Sequence, residues 1–427
     1  MKKLLALLMV LTLVMGLCIT SVSAQEQTVV RFWSHQNTAW NNSYTELIAE
    51  FEAENPDIKI EYTTFPYDDF EAKIQTSLIG SEAGADVYEV WGGWMLDFVD
   101  SGALSPTPDE LVATLREDSY APVLGTLQKD GVIYGAPVEL NVEYGGLVVN
   151  KTLFEESGLS YPTTWDELLQ TAKEVAVANG DMMDMRGLEF NQADNLVALW
   201  LSMILQKGGQ YLMDDNTLDF TTDEAVESMQ TLVDYVAVDH ITNLDSATGS
   251  QGIDGHSFLG LGEAYMVVRG PWVLSDLDET YGMTYGVDYD YITLPAFEEG
   301  TEQTWVAETG WSLCVPKNTE VADAAWRFIE FLMEPENLLQ HNIDCGQVPP
   351  LASVASDPAY LEAMPYMEAL ISILSEAQFI GPFNTDVFKT YVSQMYISLA
   401  SDDGTYESVA DGCQKLTEDL MNNMKMY

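Results

Sequence analysis

The sequence predicts a two-lobed α/β protein whose chain passes between the lobes three times and leaves a ligand cleft between them. Three observations carry this prediction. Strand and helix patterns alternate in βαβαβ order over residues 29–91, the order that builds a sheet covered by helices. The stretch 134–151, YGAPVELNVEYGGLVVNK, leaves that pattern and enters a second one. At 427 residues the chain is also too long for one core of ordinary size.

The first segment, MKKLLALLMVLTLVMGLCITSVSA, joins two lysines, an apolar run and a small-residue end. That is the pattern of a secretory signal peptide, residues 1–24, cleaved after Ala24. Lipidation at Cys18 is the alternative, but Leu17 is larger than the residue such processing prefers. Removing Lys2 and Lys3 leaves 15 basic against 68 acidic side chains, a net charge of −53. Such a field repels nucleic acid and anionic membrane surfaces. The expected location is outside the cytoplasm, in a periplasm or at a cell surface.

Residues 29–33 read as a strand. Asn42 is placed to cap a helix with Tyr44, Leu47, Ile48 and Phe51 on one face, stopped by Asn55-Pro56. A strand over 58–64 follows, then a helix striped by Phe70, Ile74 and Leu78 and closed by Gly80, then a strand over 86–91. This order predicts a mostly parallel sheet. In the crossover, Gly131 and Gly135 bracket a short strand and Pro137 bars regular ladder pairing. Leu147-Val148-Val149 is the apolar run of a doubly buried strand. Glu139, Asn141, Glu143 and Tyr144 lie between two buried ends, so they are expected to line the cleft.

Beyond the crossover, Thr164 and Glu167 have capping-box spacing at the start of a helix expected to run to about Gly180. Leu196, Leu199, Trp200 and Met203 stripe a helix over 195–207, and Thr222 opens another reaching about residue 238. A strand over 264–268 leads into Arg269-Gly270-Pro271-Trp272, with Pro271 suited to a first helical turn. Extended, proline-bearing segments at 291–295 and 345–350 mark the second and third passes. The remainder reads as helical and methionine-rich. Cys314, Cys345 and Cys413 allow at most one internal disulfide. Neither CxxC nor a histidine pair at ligand spacing is present, so no metal or other cofactor is expected.

Five stretches in order, FEAENPDIKIEY, GLVVNKTLF, PTTWDELLQTAKEV, GEAYMVVRGPW and GWSLCVPKNTEVADAAWRFIEFL, span almost the whole mature chain. Together they resemble the extracellular solute-binding proteins of ABC importers, in the carbohydrate-binding group that includes maltose-binding protein. The resemblance implies a type II periplasmic-binding-protein fold. Its N-terminal lobe takes residues 25–138 plus 294–346, and its C-terminal lobe 139–293 plus 347–427. It also implies a monomer that closes on a small carbohydrate and delivers it to ABC transporter permease subunits. With Cys314 and Cys345 in one lobe, they are the expected pair if a disulfide forms. A peptide or polyamine ligand, or a secreted glycoside-active enzyme, are the alternatives; G-x-S-x-G, P-loop and H-E-x-x-H motifs are all missing.

Sugars present apolar C–H faces ringed by hydroxyls, so their sites need flat aromatic rings with carboxylates, amides or Arg at the edges. By the resemblance Trp272 matches the tryptophan that stacks on sugar, and Glu143 matches an acidic ligand residue of the hinge, with Tyr144 beside it. Trp94 follows a strand at its carboxyl end, where open α/β sheets place ligands; the neighbouring Trp91 is expected in the core. That loop lacks the Asp-Arg pair that related sugar binders carry there, which departs from a maltodextrin site. Trp33, His35 and Trp40 follow the first strand in the same way. Asp194, Asn195, Arg269, Trp311 and the Phe383-Asn384 loop complete the candidates.

Overall fold

The computed structural model describes residues 27–79, 84–143, 145–180, 182–248 and 254–427. The expected signal peptide and Tyr144 lie outside the described residues. Two five-stranded sheets organise the chain. The first runs in the order Ile58–Phe65, Thr28–His35, Val87–Val90, Ser312–Cys314, Ala136–Pro137. Its first three strands are parallel, while Ser312–Cys314 is antiparallel to both its neighbours. The second sheet runs Tyr289–Thr293, Gly146–Asn150, Ala264–Val268, Met182–Glu189, Val177–Asn179. Only its Met182–Glu189 and Ala264–Val268 pair is parallel, so the expected mostly parallel arrangement is confined to the start of the chain.

Local chemistry accounts for the element boundaries. The Thr38–Glu54 helix buries Trp40, Tyr44, Leu47, Ile48 and Phe51 on one face. Its cap is Asn37, not the expected Asn42: the Asn37 side chain accepts from the Trp40 amide at 3.3 Å, directly after the first strand ends. Thr164 caps the Trp165–Val175 helix by accepting from the Glu167 amide at 3.3 Å, and Glu167 reaches back to the Thr163 amide at 2.8 Å. This helix stops at Val175, short of the expectation. Val177–Asn179 instead pairs antiparallel with Met182–Glu189, turning at Gly180, whose φ of 66° suits glycine.

Two apolar clusters form the cores. One gathers around Phe32, Tyr88, Met95, Leu313 and Phe328, the other around Val148, Leu188, Trp200, Met266 and Trp305. Along the chain, Val123 already packs in the second cluster, Leu127 to Val138 belong to the first, and the lasting change comes between Val138 and Leu140, inside the crossover. The return differs from the expected boundary at 294. Leu294, Trp305, Val306 and Ala307 belong to the second cluster, and Trp305–Thr309 pairs with Leu140–Asn141 and Ala377–Phe379. The chain therefore passes back at 308–312, because fully buried Trp305, donating to the Ile373 carbonyl at 3.0 Å, anchors the preceding strand in the second core. The third pass lies against the first, with the Leu140 amide donating to the Val348 carbonyl at 2.8 Å.

The expected Cys314–Cys345 disulfide is not formed; Cys314, Cys345 and Cys413 are all buried and free. Cys314 sits in the first sheet with its sulfur 3.7 Å from that of Met95, whereas Cys345 ends the Pro335–Cys345 helix beside His341. Sharing a lobe did not bring the two thiols together.

Candidate ligand-binding cleft

A cleft of about 430 Å³ opens between the two cores. His35, Trp40, Tyr67, Trp91 and Trp311 face it from the first side, Asp194, Trp272, Ser275 and Asp386 from the second. The crossover supplies Glu139, Asn141 and Glu143, and Asn37, Ala39, Cys345 and Gln347 complete the lining.

On the first side the wall is a block of rings. The His35 ring stacks on Trp311 with centroids 4.2 Å apart and planes 9° apart, and its Nδ1 lies 2.6 Å from the Glu89 carboxylate. Tyr44 donates to the other oxygen of that carboxylate at 2.7 Å. Trp91 stands 5.5 Å from Trp311 and is buried in the first core, as expected, while part of it also lines the cleft. Trp94 is buried behind this surface, packed on Tyr67 and Trp311, and its Nε1 donates to Asp386 at 2.8 Å. It shapes the wall without lining it. Gly92 serves the fold and not a ligand, since a Cβ there would fall 1.7 Å from the Thr309 carbonyl oxygen.

Trp33 does not reach the cleft. It packs against Phe65 and Tyr88 at 4.8 and 5.6 Å. Being two residues before His35 sets it back about 6.6 Å along the strand, away from the carboxyl end where the cleft lies.

On the second side, Pro271 starts a single turn, Pro271–Val273, that holds Trp272 half-exposed at the cleft. The turn needs glycine before it, because a Cβ on Gly270 would lie 1.9 Å from the Val142 carbonyl oxygen. Trp272 Nε1 donates to Glu143 at 3.3 Å, and the Arg269 guanidinium lies 5.2 Å from its ring. Arg269 is 3% exposed and supports the indole from behind, with Asp254 3.8 Å away; it does not line the cleft. Asn195 is also buried, and donates to the Glu143 carbonyl at 3.0 Å, fixing the crossover. Phe383 is core, packed on Phe388, and Asn384 caps the Thr385–Ala400 helix. That cap presents Asp386, which the sequence did not single out, to Trp94 and to the Tyr67 hydroxyl at 3.1 Å.

Charge is concentrated below the rings. Lys389, 4% exposed, lies 2.8 Å from Asp194 and 2.6 Å from Glu308. Burial opposes its charge, but these carboxylates overcome that and hold its pKa well above the ordinary value. Glu143 is pushed up to about 7 by burial and by Asp194, against the pull of Lys389 and Arg269. Glu139, 2% exposed, is pushed up to about 8, chiefly by burial, with Glu89 and Glu143 adding like charge. Among the described residues, Trp91 Nε1 and Asn141 Nδ2 are buried donors with no partner. No group of three or more His, Cys, Asp or Glu residues there could hold a metal ion.

Known proteins were then compared with the chain. The maltotriose-binding protein of Pyrococcus abyssi is 24% identical over 77% of this chain and 68% of its own. The arabinooligosaccharide-binding protein of Bacillus subtilis is 25% identical over 78% and 76%. Among solved structures, an ABC substrate-binding protein from Listeria monocytogenes in complex with cycloalternan superposes with a TM-score of 0.75, at 18% identity, over 93% of this chain and 98% of that one. Maltose-bound MalE3 of T. maritima gives 0.74 at 20% identity, over 92% and 99%. These likenesses establish the two-lobed α/β periplasmic-binding-protein fold. The description of the bacterial extracellular solute-binding proteins matches residues 36–338, most of the chain, and the protein belongs to that family, whose work is binding and not turnover.

Proposed function

We propose that this chain is the sugar- or oligosaccharide-capturing component of an ABC importer. It works outside the cytoplasm, in a periplasm or at a cell surface, as a monomer without a cofactor. The two lobes close over the ligand by hinge motion, and the closed form is what the membrane permease subunits receive. The observation that carries this reading is the composition of the cleft. Trp272, Trp40, Trp91 and Trp311 line the same cleft as Glu139, Glu143, Asp194 and Asn141, with Glu143 bonded to the indole edge of Trp272. Flat apolar faces bordered by carboxyls and amides fit a pyranose better than a peptide or a polyamine. The relatives named for maltotriose and arabinooligosaccharide support the same ligand class.

The test is a thermal-shift screen of the mature chain against neutral oligosaccharides, peptides and polyamines. Binding to the folded state alone stabilises by RT ln(1 + [L]/Kd), about 2.7 kcal/mol at a hundredfold excess over Kd. A sugar that raises Tm accordingly supports the reading. Stabilisation by a peptide or a polyamine, with every sugar inert, overturns it.

A further inference from the structure

Glu139 is a buried carboxyl that stacking on sugar does not use. It lies in the crossover and lines the cleft, and its one hydrogen bond among the described residues comes from the Trp311 amide to Oε1 at 3.1 Å. The titratable groups facing it are Glu89 from the Val87–Val90 strand, Glu143 from the crossover and Cys345 from the end of the Pro335–Cys345 helix. None of these is a cation. The basic groups nearby are engaged elsewhere: His35 with Glu89, Lys389 with Asp194 and Glu308, Arg269 with Asp254 and the Trp272 ring.

A buried carboxyl with neither a cation nor a full set of hydrogen bonds is costly to keep unless something else meets it. One further atom in the same cleft shares its condition. Asn141 Nδ2 is an enclosed donor with no acceptor among the described residues. Glu139, Glu143, Asp194 and Asp386 line the cleft, while neither Lys nor Arg does. The unmet groups therefore ask for a ligand that brings an acceptor to Asn141 and positive charge to the carboxyls.

We propose that the ligand is a glycan bearing a protonated amino group, that Glu139 receives its ammonium, and that Asn141 donates to a hydroxyl oxygen beside it. This deepens the sugar-capture reading and rests on it. Near neutral pH the free Glu139 is largely protonated, as its raised pKa implies. Pairing favours the carboxylate and the ammonium together, so Glu139 gives its proton to the buffer where the amine arrives charged and to the amine itself where it arrives neutral. Uronic-acid glycans meet only like charge and are rejected.

Titration calorimetry of the full mature chain at pH 7, in two buffers of different ionisation enthalpy, tests this. The probes are 2-amino-2-deoxy oligosaccharides of gluco and galacto configuration, their N-acetylated counterparts, oligogalacturonates and spermidine. An amino oligosaccharide is expected to bind at least about tenfold tighter than its acetylated form, with a net release below one proton because part of it passes to the amine, and with no uronate binding. Glu139→Gln should remove the proton release from this carboxyl and, with it, the preference for the amino over the acetylated form. Trp91→Phe should weaken both forms and retain the proton release, which separates loss of the carboxyl from damage to the cleft. Equal or tighter binding of the acetylated forms, or binding of a uronate, overturns the amine while leaving sugar capture standing. If spermidine binds and every glycan fails, both readings fall.

Discussion

Trp272→Ala separates a binding surface from a piece of core. The indole is half-exposed at the cleft, packs against the second core and the His256 ring, and is held by the 3.3 Å bond from Nε1 to Glu143 and the Arg269 guanidinium 5.2 Å from the ring. A hydrogen bond contributes about 1 kcal/mol net and a cation–π contact about 0.5–1 kcal/mol at a partly exposed site. Ligand-free stability should therefore fall by roughly 1–2 kcal/mol, below the 3–5 kcal/mol or so that truncating a core tryptophan costs. Sugar affinity should fall further, by on the order of 2 kcal/mol or more, about thirtyfold, because the truncated ring is the preformed flat face on the second side. Urea unfolding without ligand, and calorimetry with the sugar found by the screen, measure the two quantities. A variant that binds normally but unfolds several kcal/mol more easily refutes the assignment.

Two more predictions concern buried charge. Lys389→Met leaves Asp194 and Glu308 without their cation and is expected to destabilise by about 3–5 kcal/mol. Adding Glu308→Gln should recover part of the loss in the same urea assay, and no recovery would mean that the two groups are not coupled. Burial pushes the folded Glu139 carboxyl up to about 8, well above its ordinary value of about 4.5. Between these values the folded state keeps a proton that the unfolded state has lost, so its contribution is full below about pH 4.5 and declines as pH rises through 8. Unfolding curves from pH 5 to 9 should fall less steeply for Glu139→Gln than for the parent; parallel curves would show that Glu139 is ordinarily ionised.

How much of this was legible in the sequence depended on the range of the interaction. The crossover could be read locally: Pro137, the apolar run 147–149 and the polar residues between them stated a chain leaving one core for another. Glu139, Asn141 and Glu143 do line the cleft. Trp272 was equally local, set by Gly270 and Pro271. The second return was misplaced at 294 because the proline there was read as a boundary. What decides the position is Trp305, buried against a carbonyl 68 residues later, and no short pattern carries that contact.

Trp33 and Trp91 show the same limit at the scale of one strand. Both are tryptophans near strand ends that pack with the first core, but only three-dimensional register tells which of them also touches the cleft. Asp386 is the sharpest case. Its signal was an ordinary helix cap at Asn384, yet in the fold it accepts from Trp94 and Tyr67, with sequence separations of 292 and 319 residues. Those two bonds tie the aromatic wall of one side to the C-terminal helices of the other across the mouth of the cleft. Opening the lobes at that point must break them, together with the 2.9 Å bond from Asn384 to Asp97, a coupling set by residues that lie far apart in the chain.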